Sequence, residues 1–406
     1  MAMLQENVAH VLPEGQYPLS DHSSSQYLSQ AITELKLLNF RSYDTLSIRI
    51  PGASAVLVGP NGSGKTNILE AISWLSPGRG LRRSTLMDPY AQNKSTSGSL
   101  EGWGVHATVL SKGIVTKLGS GISHRQSACG TGVFRRMASV DGSYVRSISQ
   151  LNEYLTVQWV TPHMDRILGE GLTDRRQFLD RMIYVFDTHH ATRLAQYDAA
   201  LRERMKLLRL GRTDDLWLTS LEEKIATLSL SLGVARIEFV ARIHEMNCWQ
   251  MSSFPRAILF VEGEIEDMLD AGHSATFIEE HLRGLLRRAR DLDARTGVSH
   301  HGAHRSNLRV IHAEKNIPAT QCSTGEQKAM LLSIVIANTR VLLAQNKPVP
   351  VLLFDEVIAH LDATRRAELF AEIDRLGVQV WMTGTDISVF EHAKCIAHFI
   401  TTGATN

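Results

Sequence analysis

The chain has 406 residues, with 43 Lys and Arg against 42 Asp and Glu, a formal net charge of +1 and 43% hydrophobic residues. Its length allows two or three domains, and its apolar share excludes a disordered, collagen-like or low-complexity protein. The near-zero charge excludes a uniformly cationic coat for DNA or membranes, although a local basic patch remains compatible with it.

The cysteines and the N-terminal residues indicate the cellular compartment. The four cysteines lie far apart and form no C-x-x-C pair, which favours buried, reduced thiols over a zinc site or a disulfide framework. No apolar run reaches the ~18 residues that a membrane span requires, so no membrane partner is expected. Residues 1–30 lack the charged and apolar blocks of a secretory signal and are predicted to be a disordered N-terminal extension. These features predict a cytoplasmic protein.

The first part of the chain has α/β character. Short apolar runs at residues 35–40, 46–50 and 53–58 predict strands, because glycine and other turn residues bound them. The apolar spacing of residues 68–75 predicts a helix. Residues 86–145 are rich in Gly, Ser and Thr and contain short β-like pieces, which predicts sheet and loop.

Helical patterns dominate the middle of the chain. Apolar residues recur every three or four positions over 194–208 and 218–246, and a third such pattern covers 277–292. The second pattern predicts a helix of roughly 35 residues, about 50 Å long. A helical-bundle core accounts for these stripes, and an arm that presents a surface to partners is compatible with them. Strand and helix signals then alternate at 326–343, 349–354, 362–376 and 378–382.

The predicted fold class is therefore α/β, with a head domain that is split in sequence by a mostly helical second domain. The predicted segments are the disordered extension 1–30, the N-terminal part of the head 31–185, the helical insertion or short arm 186–296, and the C-terminal part of the head 297–406.

A phosphate-binding loop follows the third predicted strand. The segment from Gly59 to Thr66 matches G-x-x-x-x-G-K-[ST] and lies between a strand and a helix, as the motif requires. Its glycines let backbone N–H groups turn toward a phosphate at a helix N-terminus. Lys65 places a charge on the β- and γ-oxygens, and the Thr66 hydroxyl coordinates Mg²⁺. ATP and Mg²⁺ are thus the expected cofactors, and the expected contacts are Gly59, Pro60, Asn61, Gly62, Ser63, Gly64, Lys65, Thr66 and Asn67.

The second half of the site is predicted near the C-terminus. An apolar strand ends at Asp355 and Glu356. Asp355 is expected to reach the metal ion, and Glu356 is expected to polarise the attacking water, so that Glu356 and Lys65 are the catalytic candidates. Upstream, the segment Ser323-Thr-Gly-Glu-Gln327 precedes a helix, where a second anion is favoured.

This order of motifs, completed by Leu361-Asp362, resembles the ATP-binding cassette ATPases. The resemblance implies that Ser323, Gly325 and Gln327 form the S-x-G-x-Q signature and that Ser323 and Gly325 contact the γ-phosphate held by a second protomer. Two ATP molecules are then enclosed in a homodimer. The histidine that usually follows the last strand of such sites is absent. Residues 383–386 take its place, which leaves the group that senses the γ-phosphate open.

The long helical insertion excludes a compact transporter subunit and favours a split head of the SMC type. Within that group the chain is similar to the RecF family of bacterial recombination-mediator ATPases over roughly residues 32–400. The segments that carry this likeness are Asn39-Phe-Arg-Ser-Tyr43, the phosphate loop, Pro77-Gly-Arg-Gly-Leu-Arg82, Thr161-Pro-His-Met-Asp165, Arg175-Arg-Gln-Phe-Leu-Asp180, His304-Arg305, the signature and the acidic pair. Two departures are His301-Gly-Ala-His-Arg305 in place of Gly-Pro-His-Arg, and Glu356 in place of a second Asp.

The RecF likeness implies a slow, DNA-stimulated ATPase that works as a switch. Such a protein dimerises on ATP, binds double-stranded and gapped DNA, and acts with RecO and RecR to load RecA on single-strand gaps. The alternative is an SMC-like DNA-end or structural-maintenance ATPase without a recombinase-loading role.

Basic residues are the candidate DNA contacts, since Arg and Lys bind phosphates without reading sequence. A solvated helix face or an internal ion pair is the competing interpretation for each of them. Arg41 is expected either to approach the nucleotide, as in SMC-type heads, or to form a structural ion pair. The candidate phosphate contacts are Arg82, Arg83, Arg135, Arg136, Arg175, Arg176, Arg202, Arg204, Lys206, Arg209, Arg287, Arg288 and Arg290.

Overall fold

The structure is a computed structural model of the chain. It describes residues 30–50, 52–90, 102–126, 132–169, 171–211, 215–246, 253–345, 347 and 349–403. The predicted N-terminal extension, apart from residue 30, lies outside them, and so do Cys129 and Cys248.

The chain divides into two compact units. The first unit contains residues 1–164, 251–253 and 342–406, and the second contains 165–250 and 254–341. The second unit includes residues 165–185 and 297–341, which the boundaries predicted at residues 185 and 297 assign to the head. The division into head and arm segments stays a prediction.

The elements follow the predicted order. Those before the insertion are β1 (Gln30–Phe40), β2 (Tyr43–Arg49), β3 (Ser54–Val58), α1 (Lys65–Ser73), β4 (Gly104–Ser111), β5 (Ile114–Gln126), β6 (Gly132–Val140), β7 (Ser143–Tyr144) and β8 (Val157–Val160). The second unit contributes α2 (Leu172–Ile183), α3 (His190–Arg209), α4 (Asp215–Met246), β9 (Ala257–Glu262), α5 (Glu264–Asp270), α6 (Ala275–Arg288), α7 (Arg290–Thr296), β10 (Asn307–His312), β11 (Ile317–Pro318) and most of α8 (Thr324–Ala344). The chain ends with β12 (Val351–Phe354), α9 (Ala363–Leu376), β13 (Val380–Gly384) and β14 (Ala397–Thr401).

A parallel five-stranded sheet positions the candidate site in the first unit. Its strand order is β14-β3-β13-β12-β8, and every neighbouring pair is parallel. All four residues of β12 are buried, as the continuous apolar run of a parallel strand requires. Since the strands are parallel, the residues that follow β3, β12 and β13 meet at one edge of the sheet.

An antiparallel six-stranded sheet completes the first unit, in the order β2-β1-β4-β5-β6-β7. Two-residue loops connect β4 to β5 and β6 to β7, at Lys112-Gly113 and Asp141-Gly142. All four loop residues have positive φ, between 48° and 82°, as a type I′ hairpin turn requires. The sheet and loop predicted for residues 86–145 are therefore confirmed within the described residues.

The core of the second unit is helical. Buried residues of α3, α4 and α6 form one apolar cluster, which includes Tyr197, Ile225 and Leu282. Helix α4 has 32 residues, close to the predicted length. The strand β9 was not predicted, because it pairs with β10 across an intervening helical segment, and local patterns carry little information on such pairings.

The helical pattern predicted over residues 277–292 is confirmed, although it does not form one continuous helix. The structure forms two helices, α6 and α7, on either side of Ala289. The short second helix places the buried Asp293 carboxylate 2.6 Å from the Arg204 guanidinium. This buried ion pair links α7 to α3.

Helix α8 is the one helix among the described residues that is long and apolar enough to cross a membrane. Its best window has a mean hydropathy of 1.3, and 78% of that window is buried inside the protein. A buried core helix of a soluble protein passes the same test, so the helix is weak evidence for a membrane span.

Candidate nucleotide-binding site

The phosphate loop connects β3 to α1, and two of its glycines have no room for a side chain. A Cβ on Gly59 would lie 2.3 Å from the Thr402 carbonyl oxygen. Gly64 has a φ of 91°, and a Cβ there would lie 2.4 Å from the Tyr43 hydroxyl. The tip of the loop, Pro60 to Gly62, is exposed. The loop therefore packs closely against the chain at Tyr43 and Thr402, which leaves space only for glycine at positions 59 and 64.

Helix α1 begins at Lys65 with an N-terminus suited to an anion. Gly64 is the N-cap, so no side-chain oxygen caps the helix, and its first turn contains no acidic residue. The first backbone N–H groups of a helix have no partner within the helix and carry its positive dipole end. A phosphate group fits such a place.

The Lys65 ammonium group is held inside the loop. Its Nζ donates hydrogen bonds to the carbonyls of Gly59 at 2.7 Å and of Pro60 at 2.8 Å. Burial lowers the pKa of Lys65, and the Glu356 and Asp355 carboxylates oppose that shift. The buried ammonium group therefore lies among groups that favour its charged form, within the loop expected to bind phosphates.

A hydrogen bond joins the two halves of the site. The Thr66 hydroxyl donates to Asp355 Oδ1 at 2.9 Å, although 289 positions separate the two residues. Asp355 is 5% exposed and follows β12 directly, as predicted. A hydroxyl next to a carboxylate, with a buried ammonium group close by, is a donor set that suits a Mg²⁺–phosphate complex.

The second carboxylate, Glu356, has an unusual backbone. Its φ is 52°, and its N–H donates to the Thr383 hydroxyl at 2.9 Å. The Thr383 hydroxyl in turn donates to Asp355 Oδ1 at 2.8 Å. The sequence marks residues 383–386 only as the place of an absent histidine. A polar residue in the apolar strand β13 is the signal that identifies Thr383.

Other contacts near the loop involve side chains that the motif does not contain. The Ser63 and Thr402 hydroxyls lie 2.7 Å apart, so the segment after β14 supports the loop. Asn67 donates to the Ser42 hydroxyl at 2.9 Å and accepts from Arg82 at 3.0 Å. Sequence reasoning missed Thr402, because its pairing with the loop is decided by the neighbouring positions of β3 and β14.

Arg41 forms a structural ion pair. Its guanidinium binds both oxygens of Glu70, at 2.9 and 2.6 Å, and the Glu70 side chain is fully buried in α1. Ser84 and Arg82 contact the same carboxylate. Of the two expectations for Arg41, the structure thus shows the ion pair.

The predicted signature lies at the N-terminus of α8 in the second unit. The Ser323 N–H and hydroxyl both donate to Glu326 Oε2, at 3.0 and 2.9 Å, and the Glu326 N–H donates back to Ser323, which makes a capping box. Lys315 and Ser323 lower the pKa of Glu326 to about 2. Ser323 and Gly325 are exposed, whereas Gln327 is buried and donates to the Cys322 carbonyl at 3.0 Å. The nucleotide-binding role of all three stays a prediction.

Many of the candidate DNA contacts are occupied inside the chain. The buried Arg204, for example, donates to Glu222 and Asp293, and Arg136 donates to three backbone carbonyls. For these residues the internal-contact interpretation holds. The cations with such partners include Arg82, Arg136, Arg175, Arg176, Arg204, Arg209, Arg287 and Arg290.

The phosphate loop is hydrogen-bonded to the acidic pair at the edge of a parallel sheet, and a helical insertion divides the sequence of this domain. These features define an ATPase head of the ATP-binding cassette type. The family model described as the RecF/RecN/SMC N terminal domain matches residues 31–404. The RecF protein of Allorhizobium ampelinum, a DNA replication and repair protein, is 38% identical over 374 residues, which are 91% of this chain and 96% of the relative. The RecF protein of Rhizobium meliloti is 39% identical over 362 residues, 89% of this chain and 94% of the relative.

The chain belongs to the RecF family of DNA replication and repair proteins. A solved structure, described as the recombination mediator protein RecF-ATPrS in the RecFOR pathway, has a TM-score of 0.74 to this chain at 23% identity. The match covers 93% of this chain and 99% of that chain. The predicted fold class and the predicted likeness are both confirmed.

Proposed function

We propose that the chain is an ATP-dependent DNA-binding protein of replication and recombinational repair, in which ATP closes a homodimer and slow, DNA-stimulated hydrolysis reopens it. One contact supports this most directly. The Thr66–Asp355 hydrogen bond unites the phosphate loop and the acidic strand, which lie at opposite ends of the sequence, in one site. The family to which the chain belongs points to replication and repair as the process.

The residues have distinct roles in this proposal. The backbone from Gly59 to Asn67 holds the phosphates, and Lys65 exchanges its loop carbonyls for phosphate oxygens. Thr66 and Asp355 hold Mg²⁺, which neutralises charge on the phosphates when it is bound. Glu356 orients the attacking water and accepts its proton.

Dimerisation depends on Ser323 and Gly325, which contact the γ-phosphate bound by the partner protomer. We expect wild-type protein to elute as a dimer with ATP and Mg²⁺ in size-exclusion chromatography. Ser323→Arg should elute as a monomer and still bind ATP, because the bulky cation blocks the contact with the partner while the protein's own phosphate loop is intact.

The matched control is Ser220→Arg, which introduces the same cation on the exposed side of α4. This variant should dimerise like the wild type. A Ser323→Arg dimer with wild-type affinity would contradict the role of the signature in the partner's site. A wild-type monomer under all nucleotide conditions would contradict ATP-driven dimerisation.

Part of the DNA surface lies on the first unit, at a cavity of about 620 Å³ beside β6 and β7. Among the residues that the structure describes, three arginines and no carboxylate line the cavity. Arg136 is held by backbone carbonyls, whereas Arg135 and Arg146 are exposed, and their guanidinium groups have no partner among the described residues. Free guanidinium groups in a concave surface suit the phosphates of a nucleic-acid backbone.

Removing these two charges should weaken DNA binding. For Arg135→Ala/Arg146→Ala we expect lower affinity for gapped duplex, and a slope of log affinity against log salt that is shallower by roughly 2, because two phosphate contacts are lost. Fluorescence anisotropy over a salt series with ATP and Mg²⁺ measures both quantities.

The comparison pair is Arg202→Ala/Arg287→Ala, which removes two exposed cations that lie beside Asp198 and Asp215. Each of these cations already lies near a carboxylate, so this pair should retain the wild-type slope. If Arg202→Ala/Arg287→Ala loses DNA binding and Arg135→Ala/Arg146→Ala does not, the DNA surface lies on the helical segment instead.

The cellular role that we propose is cytoplasmic and involves RecR together with RecO in loading RecA on gapped DNA. The alternative function, SMC-like maintenance of DNA ends or structure, has the same ATP-dependent DNA binding. The two differ in one outcome, since only the first increases RecA loading on gaps that are coated with single-strand-binding protein when RecO and RecR are present.

A further inference from the structure

The Thr383 hydroxyl lies at the centre of the acidic pair. A threonine hydroxyl has one proton to donate and two lone pairs to accept with. In this site the proton goes to Asp355 Oδ1 at 2.8 Å, and a lone pair accepts the Glu356 N–H at 2.9 Å. Thr383 is 1% exposed, so water does not compete for these bonds.

Both carboxylates have a specific need for such a contact. Asp355 Oδ1 also accepts from Thr66, whose oxygen is the proposed metal ligand. A second donor keeps the carboxylate in place if the Thr66 hydroxyl reorients toward the metal. Glu356 has a φ of 52°, and a non-glycine residue keeps that conformation only where its surroundings hold it.

The sheet explains why this residue can reach both acids. Strand β13, which contains Thr383, lies between β12 and β3 in the sheet order. Its neighbour β12 leads into the acidic pair, and its other neighbour β3 leads into the phosphate loop. A polar residue near the end of β13 therefore lies between the acidic pair and the phosphate loop, within reach of both acids.

We propose that Thr383 is a positioning residue for ATP hydrolysis, which fixes the Asp355 carboxylate with its proton and the Glu356 backbone with its lone pair. This inference deepens the proposed function and rests on it. It assigns to the segment that replaces the usual histidine a role that acts through the two acids, without contact to the nucleotide.

The test uses Thr383→Val, which keeps the shape of the side chain and removes the hydroxyl, and Thr383→Ser, which restores it. In the nucleotide-free chain, hydrogen exchange at the Glu356 amide should become about tenfold faster in Thr383→Val, as expected for the loss of one hydrogen bond. Thr383→Ser should exchange like the wild type. This measurement requires no hydrolysis.

Kinetics provide the second measurement. The kcat of Thr383→Val should fall about 10²-fold, since small displacements of catalytic groups have effects of that size. The KM for ATP should stay nearly unchanged, and half-maximal rate should require more Mg²⁺. In a Glu356→Gln background the same change should have little further effect on kcat, because the group that it positions is already disabled.

The matched control is Thr339→Val. It removes another fully buried hydroxyl, which donates to the Val335 carbonyl at 3.0 Å within α8. This variant should keep wild-type kinetics even if its melting temperature falls. Wild-type amide exchange and kinetics in Thr383→Val, or an equal loss of kcat in Thr339→Val, would overturn the inference. Absence of hydrolysis in the wild type would instead reject the proposed function, and the exchange result would still decide whether Thr383 holds Glu356.

Discussion

Glu356→Gln should lower the steady-state rate of ATP hydrolysis by roughly 10²- to 10⁴-fold, the range that a positioned general base supplies. The amide keeps the size of the side chain but cannot accept the proton of the attacking water. Nucleotide binding should persist, because Lys65, Thr66 and the loop backbone are unchanged. The variant should therefore accumulate as an ATP-bound dimer, visible by size-exclusion chromatography after hydrolysis has dispersed the wild-type dimer.

The control for this change is Glu391→Gln, the same substitution at an exposed side chain whose ion pair with Lys394 has a distance of 3.8 Å. It should hydrolyse ATP at the wild-type rate. If Glu356→Gln hydrolyses ATP as fast as this control, another group accepts the proton and Glu356 has no catalytic role.

Asp180→Asn should destabilise the protein by about 3–5 kcal/mol, because it leaves a buried arginine without its counter-ion. Arg236 donates to both oxygens of Asp180 at 2.9 Å, and the side chains of both residues are almost completely buried. Burial alone would raise the pKa of Asp180, but Arg236 and His190 outweigh it and hold the pKa well below its usual range. Urea denaturation measures the loss.

A double variant separates the unpaired charge from other effects. Asp180→Asn/Arg236→Met should be more stable than Asp180→Asn alone, since a methionine removes the uncompensated charge. The exposed Asp270→Asn should change the free energy of unfolding by no more than about 0.5 kcal/mol. If the free energy of unfolding of Asp180→Asn lies within about 1 kcal/mol of the wild-type value, the prediction is contradicted. The loss would then be smaller than expected for breaking a buried ion pair.

This pair also explains two segments that carry the RecF likeness. Asp180 ends the segment that begins at Arg175, and Arg236 donates to the carbonyl of Ala303, next to His304, at 2.7 Å. The Tyr197 hydroxyl lies 2.6 Å from His304 Nδ1, and burial is the main cause that lowers the pKa of His304 to about 4. The residues of these segments therefore stabilise the interior of the second unit.

The parts of the site that were predicted share one property, which is that their signal is local. The phosphate loop needs glycines, a lysine and a threonine in consecutive order between a strand and a helix. The acidic pair needs an apolar strand directly before it. Tyr43 and Thr402 were not predicted as site residues, and Thr383 was marked only as part of the segment that takes the place of the absent histidine, because each reaches the loop or the acids from another segment of the chain.

The basic residues show the same limit of prediction from local sequence. From the sequence, Arg204 and Arg135 are equivalent candidates for DNA phosphates. In the structure Arg204 is buried between Glu222 and Asp293, whereas Arg135 is exposed beside a cavity. An arginine that pairs internally and one that is free have the same local sequence signal, since a distant carboxylate decides between them.

The ordered motifs by themselves determined that this chain has a split α/β head of the ATP-binding cassette type with a helical insertion. The periodicity of apolar residues and the order of glycines are properties of neighbouring residues, so a single sequence expresses them. The tertiary structure alone decided which hydroxyl contacts both acids, that Arg41 pairs with Glu70, and that Arg204 pairs with Glu222 and Asp293. These outcomes depend on the order of strands in the sheet and on contacts between distant segments. Hydrogen bonding and burial across the folded chain determine those contacts, and a local sequence pattern does not express them.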